Sequence, residues 1–266
     1  FSVGNQANGL NTSSNNYVAW NWKANGGTTS SNSNGTITST VQANTTAGFS
    51  IITYTGNFTN NQTIGHGLNQ APEALFIKNR DSSTSWVIYN KGLNFPTKDL
   101  VYFNSNPSND HDPTFNDTAP SSSVITMGAY SFNNKSGDSH VCYAFHSVKG
   151  YSKFGAYIGN GNADGPFVYT GFKPALLITK VDNSGNWFIV DNKRDTDNEV
   201  QEILFPNLSN AETTGSSGSN RFDFLSNGFK VRGNGSAINV GSNRTFYFAF
   251  AEHPFVSSKG VPVTAR

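Results

Sequence analysis

The sequence predicts an all-β protein of two tandem homologous antiparallel β-sandwich modules, jelly-roll-like, preceded by a strand and a polar linker. The first observation is compositional: Asn, Ser, Thr and Gly dominate the polar positions, and aromatic residues make up 13% of the 266 residues. Such a mixture favours strands and turns over helices. The second observation is an internal repeat, because the pattern of residues 72–90 returns at residues 174–192. A repeat with this spacing indicates a duplicated domain.

The repeated stretch has the pattern of a β-hairpin. Pro72 opens an apolar run that closes on Lys78, and Trp86 opens a second apolar run after a polar turn. In the second copy the Pro and the Lys recur 102 residues later and the Trp recurs 101 residues later. Short β-rich runs on either side of a Gly/Asn/Asp/Ser turn predict paired antiparallel strands.

The repeat extends beyond this hairpin in both directions. Residues 48–57 resemble residues 153–162, and the aromatic-Ala-aromatic triplet at 143–145 recurs at 248–250. Each copy is therefore much larger than the unit of a solenoid protein. We expect both copies to have the same fold.

These landmarks divide the chain into four segments. Residues 1–24 are interpreted as the closing strand of an upstream module, because the motif at residues 17–20 resembles the closing strands of both copies. The alternative is a short N-terminal strand that pairs with the first module. Residues 25–47 are low in complexity and predict a polar linker or an extended edge strand. The first sandwich module spans residues 48–152 and the second spans residues 153–266.

The pattern of apolar and polar residues predicts the individual strands. One strand is expected at 36–41, within the linker. The module strands are expected at residues 49–55, 74–79, 86–90, 100–104, 123–132, 140–147, 154–158, 166–170, 175–181, 187–191, 202–205, 222–225, 228–232 and 245–252. Long polar loops at residues 105–122 and 206–221 occupy the same place in each repeat, and loops of this length are often functional.

Composition argues against several classes of function. The net charge is +1 and no Lys/Arg-rich run is present, which argues against nucleic acid as a partner. No apolar run approaches the ~18 residues that span a bilayer, so membrane insertion is not expected. Cys142 is the only cysteine, so the chain forms no internal disulfide. We interpret it as a small buried hydrophobe, with a catalytic or cross-linking thiol as the alternative.

The sequence contains weak candidates for a metal site and no motif that implies an organic cofactor. Asp110 and Asp112 flank His111 in the first long loop, and oxygen ligands suit calcium. A solvated turn is the alternative. The Gly/Asn/Asp-rich stretches at residues 159–165 and 182–186 resemble calcium loops but lack a closing Glu, and they equally match hairpin turns.

No set of residues forms a recognisable catalytic motif. His66 lies between two glycines, and a catalytic or ligand-binding role is an alternative to a turn residue. A glycosidase needs two carboxylates across a cleft, and no such pair is apparent in the sequence. Trp86 and Trp187 are either core anchors or platforms for sugars. The candidate glycan ligands lie in the long loops, at Asn109, His111, Asn116, Asn210 and Asn220.

Five segments together resemble a family of phage structural proteins common in the genomes of marine tailed phages. They are residues 17–27, 48–57, 63–80, 224–233 and 248–266. In that family such segments lie downstream of a laminin-G-like or concanavalin-A-like sandwich. The motifs mark positions that form the fold, so the resemblance transfers no functional residues.

The resemblance implies a virion appendage such as a tail fibre, displayed on the virion surface. The lack of disulfides fits assembly in the reducing cytoplasm of a bacterial host. Its expected role is non-enzymatic adhesion to the host surface through glycans. The expected partners are other virion proteins, a host glycan or receptor, and further copies of the chain, with a trimer by analogy. The alternatives are a structural capsid decoration or fibre spacer, and a polysaccharide depolymerase.

Overall fold

The computed structural model confirms the all-β fold class. It describes residues 12–93, 100–105, 113–183, 185–214 and 220–254. These residues form eighteen strands and no helix.

The strands are short and follow one another along the chain. They are β1 (Ser30–Asn32), β2 (Ser39–Asn44), β3 (Phe49–Thr55), β4 (Gln62–Gly65), β5 (Ala74–Asn79), β6 (Val87–Asn90), β7 (Val101–Tyr102), β8 (Val124–Met127), β9 (Ser139–Phe145), β10 (Ser152–Ile158), β11 (Phe167–Tyr169), β12 (Pro174–Val181), β13 (Trp187–Asp191), β14 (Glu202–Ile203), β15 (Thr213–Thr214), β16 (Phe222–Leu225), β17 (Gly228–Val231) and β18 (Arg244–Ala251).

Both copies of the repeat build a large sheet with the same order of strands. The first sheet has the order β1-β2-β3-β9-β5-β6-β7, and the second has the order β10-β18-β12-β13. In each, the closing strand lies between the opening strand and the hairpin, and all pairings are antiparallel. The small sheets correspond as well, because β4 pairs with β8 as β11 pairs with β17. A further pair is β14-β15.

The sandwich of the second module has its own buried core. One side is provided by the four-stranded sheet, with Leu177 on β12 and Tyr247 on β18. The other side is the small sheet, with Phe222 on β16 and Phe229 on β17. In the first module the core includes Cys142, which is fully buried, and burial raises the pKa of its thiol. The buried-hydrophobe interpretation of this cysteine is therefore confirmed.

The two large sheets also pack against each other through aromatic rings. Phe76 and Phe248 have ring centroids 5.3 Å apart, and those of Phe145 and Phe250 are 5.9 Å apart. The fully buried Trp187 donates a hydrogen bond from Nε1 to the backbone oxygen of a residue in β7, at 2.7 Å. Buried residues of both modules therefore form one continuous hydrophobic cluster.

The lysines at the ends of the apolar runs donate hydrogen bonds to backbone carbonyls in the hairpin turns. Lys180 is fully buried, and its Nζ donates to the backbone oxygens of Val181 and Asn183, both at 2.6 Å. Burial lowers the pKa of its ammonium group to about 8. The half-buried Lys78 donates in the same way to the Thr84 oxygen at 2.7 Å. The repeated Lys is thus explained by the need to bond turn carbonyls.

In each module one buried asparagine forms hydrogen bonds to the loop that follows the opening strand. Asn134 Oδ1 accepts a hydrogen bond from the Asn57 N–H at 2.9 Å, and its Nδ2 donates to backbone carbonyls. Asn239 repeats this arrangement, accepting from the Asn160 N–H at 2.8 Å and donating to the corresponding carbonyls. The duplication therefore extends to individual polar contacts.

The N-terminal part of the described chain differs from expectation. The closing strand predicted for residues 1–24 is not found in the part of that segment which the structure describes, because residues 12–29 contain no strand. Instead Trp22 packs edge-on against Phe145 and Phe250, with ring centroids 6.1 and 5.1 Å away. Packing on the shared core replaces sheet pairing here, and the link to an upstream module stays a prediction.

The segment predicted as a polar linker or an extended edge strand contributes the two edge strands of the first large sheet. Within residues 25–47, β1 pairs with β2, and β2 pairs with β3 from Thr40 to Asn44. The strand expected at 36–41 thus lies three residues further on. Val41 is buried in the main core, which explains why so polar a stretch joins the sheet.

A matched pair of tyrosines provides a test of the repeated contacts. Tyr54 donates its hydroxyl to the Asn133 oxygen at 2.5 Å, and Tyr157 donates to the Ile238 oxygen at 2.7 Å. We expect Tyr54→Phe and Tyr157→Phe each to lower the free energy of unfolding by about 1 kcal/mol, because a buried hydrogen bond to a backbone carbonyl is lost. The Ile238 oxygen keeps a longer bond from the Thr245 hydroxyl at 3.3 Å. Urea denaturation measures both, with the exposed Tyr169→Phe as the control. Unfolding curves that match wild type in both variants would contradict this role.

Candidate functional site

The predicted metal residues lie outside the described part of the chain. Asp110 and Asp112 fall in the undescribed residues 106–112, as do the candidate glycan ligands Asn109 and His111. Among the residues that the structure does describe, no three His, Cys, Asp or Glu side chains are grouped to hold a metal ion. Calcium at Asp110 and Asp112 therefore stays a prediction.

The remaining predicted glycan ligands do not form one site by direct contact. Asn116 is half-buried, has a φ of 50° and donates from Nδ2 to Asn61 Oδ1 at 3.3 Å. Asn210 is exposed, and Asn220 is half-buried with an Oδ1 that has no partner. No hydrogen bond among the described residues joins Asn116 to either of the other two.

The glycine-rich stretches form turns in the described residues. At residues 159–165, Asn160 Oδ1 accepts from the Asn162 N–H at 2.9 Å, and the Asn160 Nδ2 donates to the Asp164 oxygen at 3.0 Å. At residues 182–186, Asn183 Oδ1 accepts from the Gly185 N–H at 2.9 Å. These bonds are the ordinary contacts of Asx turns.

His66 has a structural environment. It is fully buried, and its Nδ1 accepts a hydrogen bond from the Leu68 N–H at 3.2 Å. The other ring nitrogen therefore carries the proton and faces the Ser121 oxygen at 3.2 Å. Burial lowers the pKa of His66 to about 4, so the ring is neutral at pH 7. The interpretation as a turn residue bonded to local backbone is confirmed.

The repeated tryptophans are not free platforms for a ligand. Trp187 is fully buried against Phe103, with ring centroids 5.0 Å apart. Trp86 is half-buried and stacks on Tyr143, with ring centroids 6.3 Å apart. The core interpretation is therefore confirmed for Trp187, while Trp86 lies at the margin of the core.

A different pair of aromatic side chains is exposed. On strand β11, Phe167 is 46% exposed and Tyr169 is 59% exposed, while Val168 between them is buried. Side chains two residues apart on a strand point to the same face. Strand β11 lies at the edge of its sheet, so the two rings line one open side of the second module. The sequence shows the alternation, but exposure depends on which strands cover the sheet.

Charged groups border this aromatic pair. Lys153 Nζ lies 5.2 Å from the centroid of the Tyr169 ring and donates to the Tyr169 backbone oxygen at 2.8 Å. Beside Phe167, Lys230 is its partner across the sheet and forms an ion pair with Asp164 at 2.7 Å. The surface therefore combines two apolar ring faces with hydrogen-bonding groups at its rim. We call Phe167, Tyr169, Lys153, Lys230 and Asp164 the aromatic face.

Backbone close to the rings fixes their positions. A side chain at position 228 would meet the Val168 oxygen and the Phe167 ring, so Gly228 allows β17 to approach β11. The Tyr169 hydroxyl likewise lies against Gly171, which has a φ of 85°. A positive φ favours glycine, and the missing side chain leaves room for the ring.

The described residues include no helix with the length and apolar character needed to cross a membrane.

The lowered pKa of His66 predicts a loss of stability in mild acid. The unfolded chain binds a proton near pH 6.5, whereas the folded chain resists protonation until about pH 4. The stability therefore falls as the pH drops through this window. Between pH 7 and pH 5 we expect His66 to account for at most about 2 kcal/mol of the fall in unfolding free energy.

The variant His66→Asn should show a smaller fall than wild type in urea denaturation at the two pH values. The exposed His253→Asn is the control and should follow wild type. An identical fall in wild type and His66→Asn would count against the buried neutral ring.

Comparisons with known proteins give a family and no characterised relative. A search of curated proteins found no match, and a search of solved structures found none either. Residues 1–254 match the model of a family described as a domain of unknown function (DUF7483), and the chain belongs to this family.

Proposed function

We propose that this chain is part of a phage virion appendage, similar to a tail fibre, that adheres to glycans on the host surface. The resemblance of its sequence motifs to phage structural proteins supports the setting. The observation that carries the adhesive role is the exposed aromatic pair Phe167 and Tyr169 on strand β11. We place this role on the second module.

The aromatic face has the chemistry that sugar rings need. Aromatic rings offer a flat apolar surface with a polar edge, and pyranose rings present apolar C–H groups on one face. The flanking Lys153, Lys230 and Asp164 can bond the hydroxyl groups around such a ring. Rings held by backbone contacts lose little conformational freedom on binding, which favours affinity.

The first module lacks this surface at the corresponding strand. Strand β4 pairs with β8 as β11 pairs with β17, and it carries Gln62, Thr63 and a fully buried Ile64. The fold of the repeat therefore does not require exposed aromatic residues at this strand. A binding role explains why the second module has them.

The surroundings of the buried titratable groups support a role without catalysis. Groups with strongly shifted pKa values often mark active sites. Here His66, Cys142, Lys180, Tyr54 and Tyr157 have shifted pKa values, and each is buried in the core or bonded to backbone. We propose no cofactor for the adhesive role.

The proposed partners follow from the virion setting. They are other virion proteins, a host glycan or receptor, and further copies of this chain in a homo-oligomer, with a trimer by analogy. The proposed location is the surface of the virion. The net charge of +1 supports adhesion through hydrogen bonds and stacking rather than through long-range attraction.

An array of bacterial surface polysaccharides tests the adhesive role. Wild type should bind at least one glycan, and the double variant Phe167→Ala/Tyr169→Ala should bind it roughly tenfold or more weakly, because aromatic anchors carry much of the energy of such interfaces. Phe58→Ala is the matched control, since Phe58 is 52% exposed but lies in the first module.

The other outcomes separate the alternative functions. Equal binding by wild type and the double variant would remove the aromatic face from the proposal. Absence of binding to every glycan would favour a decoration or spacer. Release of reducing ends from a bound polysaccharide would favour a depolymerase, with substitution of acidic residues to locate the catalytic groups.

A further inference from the structure

The two modules differ in how the outer edge of the opening strand is covered. In the first module β2 pairs with β3 from Thr40 to Asn44, and β1 continues the sheet. In the second module the opening strand β10 ends its sheet, and no described strand pairs with its outer edge. With seven residues, β10 is the longest edge strand in the described part of the chain. A long open edge is a template for pairing with a further strand.

Alternate residues of β10 direct their backbone groups away from its sheet. The Gly159 N–H donates to the Asn243 oxygen, on the side of β18, at 2.8 Å. Because the direction of the backbone groups reverses from one residue to the next, the even-numbered residues of β10 face outwards. They are Ser152, Phe154, Ala156 and Ile158.

The turn before β10 covers only the beginning of this edge. Val148 and Ser152 form an isolated antiparallel bridge, and Ser147 Oγ accepts from the Phe154 N–H at 3.2 Å. The outward backbone groups of Ala156 and Ile158 are bonded to no other described residue. The second half of the edge is therefore open.

This open part of the edge is apolar and lacks the usual protection against pairing. Ile158 is 52% exposed, whereas the first module has Thr55 at the same place, directly after the repeated tyrosine. Residues 154–158 contain no charged residue and no proline, which are the features that keep open edges from pairing. The difference between the copies thus favours a partner on β10.

A second copy of the same strand fits this edge. When Ala156 lies opposite the Ala156 of an antiparallel copy, Ile158 lies opposite Phe154 and Lys153 lies opposite Gly159, so like charges do not meet. Each Ala156 N–H then bonds the other Ala156 oxygen, and each Ile158 N–H bonds the other Phe154 oxygen. The paired stretch 154–158 is as long as the five-residue ladder between β2 and β3.

We propose that β10 is a two-fold interface, at which it pairs with β10 of a second copy of this chain and joins two four-stranded sheets into one. Such a contact satisfies the open edges of both chains at once and then closes. The inference supplies a contact for the proposed homo-oligomer and does not depend on adhesion to glycans. A two-fold contact gives a dimer, or a hexamer where the proposed trimer also forms.

Sedimentation of the full chain over a range of concentrations tests the interface. Wild type should form a dimer or a hexamer. Ile158→Lys should have half the mass of wild type, or dissociate at a concentration about tenfold or more higher, because a lysine on an edge strand opposes pairing. Phe58→Lys is the matched control, since Phe58 is also 52% exposed but lies outside β10, and it should keep the wild-type mass. Urea denaturation checks that both variants fold.

Hydrogen exchange separates strand pairing from any other contact between copies. The Ala156 N–H should exchange roughly tenfold or more slowly in the wild-type oligomer than in Ile158→Lys, because pairing bonds it. The Gly159 N–H is bonded within the chain and should exchange equally in both.

Four results would overturn the β10 interface. They are a monomeric or trimeric wild type, an unchanged mass of Ile158→Lys, equal exchange of the Ala156 N–H in both proteins, and a smaller mass for Phe167→Ala/Tyr169→Ala, which would move the contact to the aromatic face. We expect this double variant to keep the wild-type mass. Loss of its glycan binding at unchanged mass therefore concerns adhesion, and a monomeric wild type that binds glycans sinks the interface alone.

Discussion

The packing of the two large sheets against each other is the constraint on which the rest of the structure depends. A sheet that is covered on both faces must be apolar on both, and strand β18 accordingly buries six consecutive side chains, from Thr245 to Phe250. One of its faces contacts the small sheet of its own module through Tyr247, and the other contacts the first module through Phe248. The modules are therefore halves of one packed unit, and separating them would expose a broad aromatic surface.

Duplication explains why the same polar contacts occur twice. Burial of a sheet edge or a tight turn leaves backbone groups that need partners, and each copy satisfies them with the same residue types. The tyrosine on the opening strand, the lysine at the hairpin turn and the asparagine before the closing strand all recur. Such residues have structural reasons to be retained, so they are poor candidates for function even though they are polar and buried.

The sequence predicted the repeated strands well because their side chains alternate with the pleat. Strands β3 and β5 lie where the pattern placed them, whereas β4 was missed because Gln62, Thr63 and Gly65 give it little apolar character. The closing strand expected for residues 1–24 does not form in the described residues 12–24, because an apolar pattern does not reveal whether a neighbouring strand is available for pairing. The aromatic face was visible as an alternation at β11, yet its exposure depends on the tertiary arrangement. The missing partner of Asn192 is likewise a property of the folded chain alone.

Positions at which the two copies differ are the most informative about function, because the shared fold cannot require such differences. The backbone N–H of Lys91 bonds the Glu73 oxygen, as that of Asn192 bonds the Ala175 oxygen, so Lys91 and Asn192 occupy the same place in the repeat. In the first module Lys91 pairs with Glu73 at 2.7 Å, and the position is satisfied within the chain. In the second module the position carries an amide whose oxygen has no partner. The two copies therefore share the backbone contact at this position but differ in the charge and the pairing of the side chain, so the shared fold does not determine which residue stands there.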